Sequence, residues 1–129
     1  MAIRGIGIDM VKVDRIADMV CRWGRRFTGR VFTDYENSEA SKKAVPYRYY
    51  ALRFAAKEAF SKALGTGIRT PVRWRSVEVR TDELGRPYIV TSPELRKFCH
   101  DRGVYRWHLS LSDEGEYAVA CVVMEGFDE

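Results

Sequence analysis

The chain of 129 residues is 46% hydrophobic and 12% aromatic, and carries 22 Lys/Arg against 18 Asp/Glu. That is the length of one domain, here read as residues 1–129, with apolar material for a core and no low-complexity tract. No apolar run approaches the ~20 residues of a membrane span. Met1-Ala-Ile-Arg-Gly5 lacks the plan of a signal peptide, and Cys21, Cys99 and Cys121 are odd in number, widely spaced and without a CxxC pair. They argue against a disulfide framework and a cysteine metal site, and make a reducing cytoplasm the simplest location.

Ile3–Val11 alternates with β-branched residues and opens as a strand. Gly5-Ile-Gly7-Ile-Asp9 closes it. A dinucleotide fingerprint would need its third glycine at Met10, so it fails. Two readings remain: glycines that let something approach the backbone, with Asp9 offering a carboxylate, or a strand followed by a helix-initiating Asp. Asp14 is placed to cap a helix through about Trp23, with Ile16, Met19 and Val20 at core spacing and Gly24 and Gly29 breaking it. Residues 1–30 hold seven Lys/Arg against three Asp/Glu, which accounts for the whole net charge of +4. Such local basicity fits an acidic partner or a solvated helix face.

Thr33-Asp-Tyr-Glu36 is a capping-box signature for a short helix. Pro46 begins a long one, to about Leu64, closed by Gly65-Thr66-Gly67. Within it Glu58 and Lys62 share one face, with Arg53 and Lys57 a second four-residue pair beside them. Glu58 has Phe54, Ala55, Ala59 and Phe60 as neighbours, so its carboxylate must be paired, protonated or metal-bound. Lys62 is one candidate partner. A Mg²⁺ site shared with Asp9 is the other, with Arg53, Lys57 and Lys62 holding phosphate charge.

Ser76–Arg80 and Tyr88–Thr91 read as a hairpin around Asp82–Pro87. Ser92-Pro-Glu starts a helix through about Arg102, and Arg106–Ser112 with Tyr117–Met124 forms a second hairpin. Alternation puts His108, Ser110 and Ser112 on one face and Trp107, Leu109 and Leu111 on the other. The polar face reads either as the lining of a phosphate or ribose pocket or as the wet side of a strand. Early helices and late hairpins give an α+β class, with a long central helix against an antiparallel sheet.

Taken together, these segments resemble the holo-(acyl-carrier-protein) synthase family of 4′-phosphopantetheinyl transferases. The family's G-I-G-x-D then R-I matches Gly5–Asp9 and Arg15-Ile16. Its R-[FW]-A-x-K-E-A-x-x-K then G-x-G matches Arg53–Lys62 and Gly65–Gly67, and its H-x-[ST]-x-[ST] then Y-A-x-A matches His108–Ser112 and Tyr117–Ala120. Many members carry His where this chain has Asp113, whose role stays open.

The resemblance implies the fold of that family and a Mg²⁺-dependent reaction in fatty acid biosynthesis. The phosphopantetheine of coenzyme A would move to a serine of an apo acyl carrier protein, leaving adenosine 3′,5′-bisphosphate. It implies Asp9 and Glu58 as metal ligands, and Glu58 and Lys62 as catalytic residues. Arg53, Lys62, Gly65, Thr66, Gly67, His108 and Ser110 would contact coenzyme A. The proton acceptor is open between Glu58, a metal-bound water and a nearby carboxylate. The acidic carrier would dock on Arg15, Met19, Arg22, Arg25 and Arg26, and the short members' homotrimer would place active sites between subunits. Two other readings compete: a basic nucleic-acid module, opposed by the neutral charge of residues 31–129, and a Mg²⁺-dependent phosphoesterase.

Overall fold

The computed structural model describes residues 1–127. Strand β1 (Ala2–Lys12) is followed by helices α1 (Val13–Trp23), α2 (Arg25–Val31), α3 (Asp34–Ser41) and α4 (Tyr47–Leu64). A 3₁₀ turn (Trp74–Ser76) leads into strands β2 (Val77–Thr81) and β3 (Pro87–Thr91). Helix α5 (Pro93–Asp101) and strands β4 (Arg106–Glu114) and β5 (Tyr117–Gly126) complete the chain. The strands form an antiparallel sheet in the order β1-β5-β4 and a separate β2-β3 hairpin.

Helix α4 lies across β1 and β5, and small residues explain how it comes so close. Ala55, Ala59 and Ala63 are buried on it, and opposite them β1 has glycines. A Cβ at Gly5 would run into the carbonyl oxygen of Ala63, and one at Gly7 into that of Ala59. What approaches these glycines is therefore the protein's own central helix. Gly7→Ala is expected to cost about 3 kcal/mol, the upper end for overpacking, because backbone and not a flexible side chain must yield. Urea midpoints measure it, and an unchanged midpoint would contradict this packing.

The capping box forms as expected, with Thr33 Oγ1 accepting from Glu36 N and Glu36 Oε1 accepting from Thr33 N. Ser92 caps α5 through Leu95 N, and α4 ends on Gly65 at φ +80°. Two boundaries differ from expectation. Lys12, not Asp14, is the residue before α1, and no side chain caps it. Asp14 lies in the first turn, where its charge still suits the helix dipole. Gly29 does not break a helix but lies inside α2. The break falls at Gly24 alone, at φ +52°, and the Gly29 carbonyl accepts from Arg75 Nη1 at 2.8 Å.

Lys57 departs furthest from expectation. It is not a phosphate ligand, because it and Glu36 are both 0% exposed and paired at 2.8 Å. Its ammonium also donates to the carbonyls of Trp74 and Val77, and Glu36 Oε2 accepts from Val79 N. The pair ties α3 and α4 to β2 inside the core. Burial pushes the Lys57 pKa down, while the Glu36 charge pulls it up.

Candidate active site

Strand alternation fixes where each β1 and β4 side chain points. Gly7, Asp9 and Val11 turn inward toward the helices, whereas Ile6, Ile8 and Met10 turn outward and are 60–63% exposed. Asp9 thereby comes beside α4, where its Oδ1 accepts from Lys62 Nζ at 3.1 Å. Lys62 also donates to the Ile8 carbonyl at 3.1 Å. The ammonium thus turns to the strand, and the Glu58–Lys62 ion pair offered by helical spacing is not the one formed.

Glu58 sits close enough to feel both groups. Burial raises its pKa first, the Asp9 charge raises it further, and Lys62 and Arg15 pull it down. Arg15, which the resemblance puts on the docking helix, therefore also borders the carboxylates, with its guanidinium 5.8 Å from the Phe54 ring centroid. Asp9→Asn is expected to bring the Glu58 pKa down toward the ordinary glutamate range, since one of the two raising causes is removed. Carbon-13 NMR of the Glu58 carboxyl checks this, and an unmoved titration would mean the two carboxylates do not interact.

Two carboxylates on separate elements, repelling each other beside a lysine, fit a hard cation that takes its other ligands from water and substrate phosphate. No group of three or more His, Cys, Asp or Glu that could hold a metal occurs among the described residues. That leaves Asp9 and Glu58 as a sparse oxygen pair, which suits Mg²⁺ and not a closed zinc site.

The other coenzyme candidates stand apart from this pair. Arg53 is 8% exposed and lies over the Tyr49 ring, 3.8 Å from its centroid. It opens into a cleft of about 540 Å³ that Lys43, Arg48 and Arg80 also line. Its Nε is buried without a hydrogen-bond partner. Gly65 and Thr66 border a cleft of about 380 Å³ with Arg69 and Arg102. The amides of Gly65, Thr66 and Gly67 all return to the Ser61 carbonyl, at 3.0–3.3 Å. They close the helix and are not aimed at a phosphate, so this loop can meet a ligand only with its carbonyls, its Thr66 side chain and the open space above its glycines.

His108, Ser110 and Ser112 share a face, as alternation required. That face is the outer one, opposite Asp9: Ser110 pairs with Cys121, which pairs with Ile8. His108 Nε2 contacts Glu125 Oε1 at 2.7 Å, and this histidine pulls the Glu125 pKa down. A single copy therefore does not bring His108 and Ser110 to Glu58.

On α1 and α2, Met19 and Arg26 line a groove of about 400 Å³ with Trp23, Phe27 and Arg30. Trp23 and Phe27 are not among the residues that the resemblance assigns to carrier docking. The sequence reads as though the aromatics do not interleave with the arginines, whereas the fold gathers Trp23 and Phe27 with Arg26 and Arg30 in one groove. Arg22 is exposed and paired loosely with Asp18 at 3.7 Å.

A family model described as the 4′-phosphopantetheinyl transferase superfamily matches residues 5–122. The chain belongs to that superfamily. It is 47% identical over 123 residues to a holo-[acyl-carrier-protein] synthase from Halothermothrix orenii, covering 95% of this chain and 98% of the relative. The crystal structure of the Neisseria meningitidis synthase superposes with a TM-score of 0.92 at 43% identity, covering 96% and 99% of the two chains. A Bacillus anthracis synthase in complex with CoA (3′,5′-ADP) superposes with a TM-score of 0.82 at 38% identity, covering 97% and 98%. The chain thus keeps the α+β architecture of these synthases over nearly its whole length. No helix among its described residues is long and apolar enough to cross a membrane.

Proposed function

We propose that the chain transfers 4′-phosphopantetheine from coenzyme A to a serine hydroxyl of an apo acyl carrier protein. The serine hydroxyl gives up its proton to solvent or a nearby carboxylate as its oxygen bonds to the pantetheine-side phosphorus, the pyrophosphate P–O bond breaks, and adenosine 3′,5′-bisphosphate leaves. The observation that carries this reading is the Asp9–Glu58 pair with Lys62 beside it, in a chain whose relatives are synthases of this kind. Asp9 and Glu58 would hold Mg²⁺, which when bound neutralises pyrophosphate charge. Lys62 is half exposed and need only swing from Asp9 to donate to the departing phosphate. Arg53 would meet the nucleotide end and its 3′-phosphate, because it lines a basic cleft and its buried Nε has no partner within the chain.

His108 and Ser110 would reach coenzyme A from a neighbouring copy. The outer sheet face bearing them also exposes Ile6, Ile8 and Met10, an apolar strip suited to burial against another chain. A homotrimer with shared sites is the assembly proposed, and it explains why one copy keeps His108 away from Glu58. With three free cysteines, a single domain and an acidic carrier as partner, the reading places the enzyme in the cytoplasm, in fatty acid biosynthesis.

Chromatography of the nucleotide products tests the reaction. Adenosine 3′,5′-bisphosphate is expected only when coenzyme A, Mg²⁺ and apo carrier are all present. Release without carrier would favour a phosphoesterase, and no release with several carriers would sink the proposal. Arg22→Glu is expected to raise the KM for carrier about tenfold with less change for coenzyme A, because it reverses a charge on the docking face. Equal losses for both substrates in steady-state kinetics would refute docking there.

A further inference from the structure

Arg48 occupies the second position of α4, where a cation opposes the helix dipole. It does not serve the helix there, so another role must account for its placement. Its guanidinium contacts the tip of the β4–β5 hairpin, 65 residues on in the sequence. Nη1 donates to Asp113 Oδ2 at 3.1 Å and Nη2 to the Gly115 carbonyl at 2.9 Å. Both side chains remain accessible, at 46% and 40% exposure. A guanidinium has five N–H donors, so this two-point grip leaves others for a ligand.

Arg48 lines the same cleft as Arg53. Arg53 is buried there with its Nε unpartnered, and Lys43 and Arg53 both lie over the Tyr49 ring. Arg80 is engaged by Glu78 at 2.6 Å. The lining carboxylate, Glu39, is taken up by Lys42 at 2.8 Å. The cleft thus presents guanidinium groups near the positive end of α4, with its one glutamate already paired.

We infer that Asp113 is a positioning residue that holds Arg48 at the rim of the Arg53 cleft, making Arg48 a second ligand for the 3′-phosphate of coenzyme A. The inference rests on the proposed reading that Arg53 meets that phosphate. It gives Asp113 a role through Arg48 and not through the reacting atoms. The forked contact matters, because a guanidinium fixed in orientation loses less freedom when it binds.

Steady-state kinetics with coenzyme A and with 3′-dephospho-coenzyme A, at saturating apo carrier, test it. Arg48→Gln is expected to lower the preference for coenzyme A about tenfold, the worth of a hydrogen bond to a charged group. Asp113→Asn is expected to lower it about threefold, as for an exposed ion pair, through KM and not kcat. Asp113→Glu should retain most of the preference. Thermal midpoints of all three variants separate folding from binding. An unchanged preference in Arg48→Gln or Asp113→Asn, whatever the midpoint, would overturn the inference and leave the contact a structural strap. A wild-type enzyme that transfers from both donors without preference would overturn it too. A wild type that transfers from neither would instead remove the reading beneath it.

Discussion

Glu58→Ala is expected to lower phosphopantetheine transfer about a thousandfold, the equivalent of several kcal/mol of lost charge stabilisation. The substitution leaves Asp9 without its partner carboxylate and already engaged by Lys62, so the two-carboxylate site is lost. The fold should survive. Burial and the Asp9 charge hold the Glu58 pKa above its ordinary value, so its charged form disfavours the native state. The sign follows directly. Between the ordinary glutamate range and the raised native value, the native state binds more protons than the unfolded one, and stability falls as pH rises. Above the native pKa the whole penalty is present, and removing the carboxylate lifts it. Glu58→Ala should therefore melt no lower than wild type at neutral pH while being nearly inactive. A variant that is inactive and also strongly destabilised would show that Glu58 is a structural residue.

Lys57→Met should have the opposite character, a large loss of stability before any loss of chemistry. It strands Glu36, which is fully buried, and breaking a buried ion pair from one side costs about 3–5 kcal/mol. Glu36 keeps its bonds from Thr33 N and Val79 N, so Glu36→Gln in the same background removes the stranded charge and keeps an acceptor oxygen for one of those two donors. The double variant is expected to recover much of the loss in urea unfolding. If Lys57→Met instead unfolds like wild type but loses coenzyme A binding, Lys57 would be the phosphate ligand that its helical spacing implied.

These two residues are adjacent in sequence, and their contrast shows what could be read without coordinates. Helical spacing correctly set Glu58 and Lys62 on one face and Arg53 and Lys57 on another. It carried no information on what each face meets, because the Lys57 partner lies on α3, 21 residues upstream. The capping box at Thr33–Glu36 was legible from local pattern. That Glu36 would also reach Lys57 and Val79 was not, since these are long-range contacts. Gly5 and Gly7 announced a close approach, and only packing could show that the approaching group is α4. Alternation placed His108 and Ser110 together. The strand order β1-β5-β4 was needed to show that they face away from Asp9, which is why the proposed function brings them in from a second copy.

The most direct measurement weighs the carrier. Apo acyl carrier protein is incubated with coenzyme A, Mg²⁺ and the purified chain, and its intact mass is recorded. A gain of one phosphopantetheine on the carrier serine, absent when Glu58→Ala replaces the wild type, is the result expected. An unmodified carrier across several apo acyl carrier proteins, with the wild-type protein folded and coenzyme A present, would contradict the transfer.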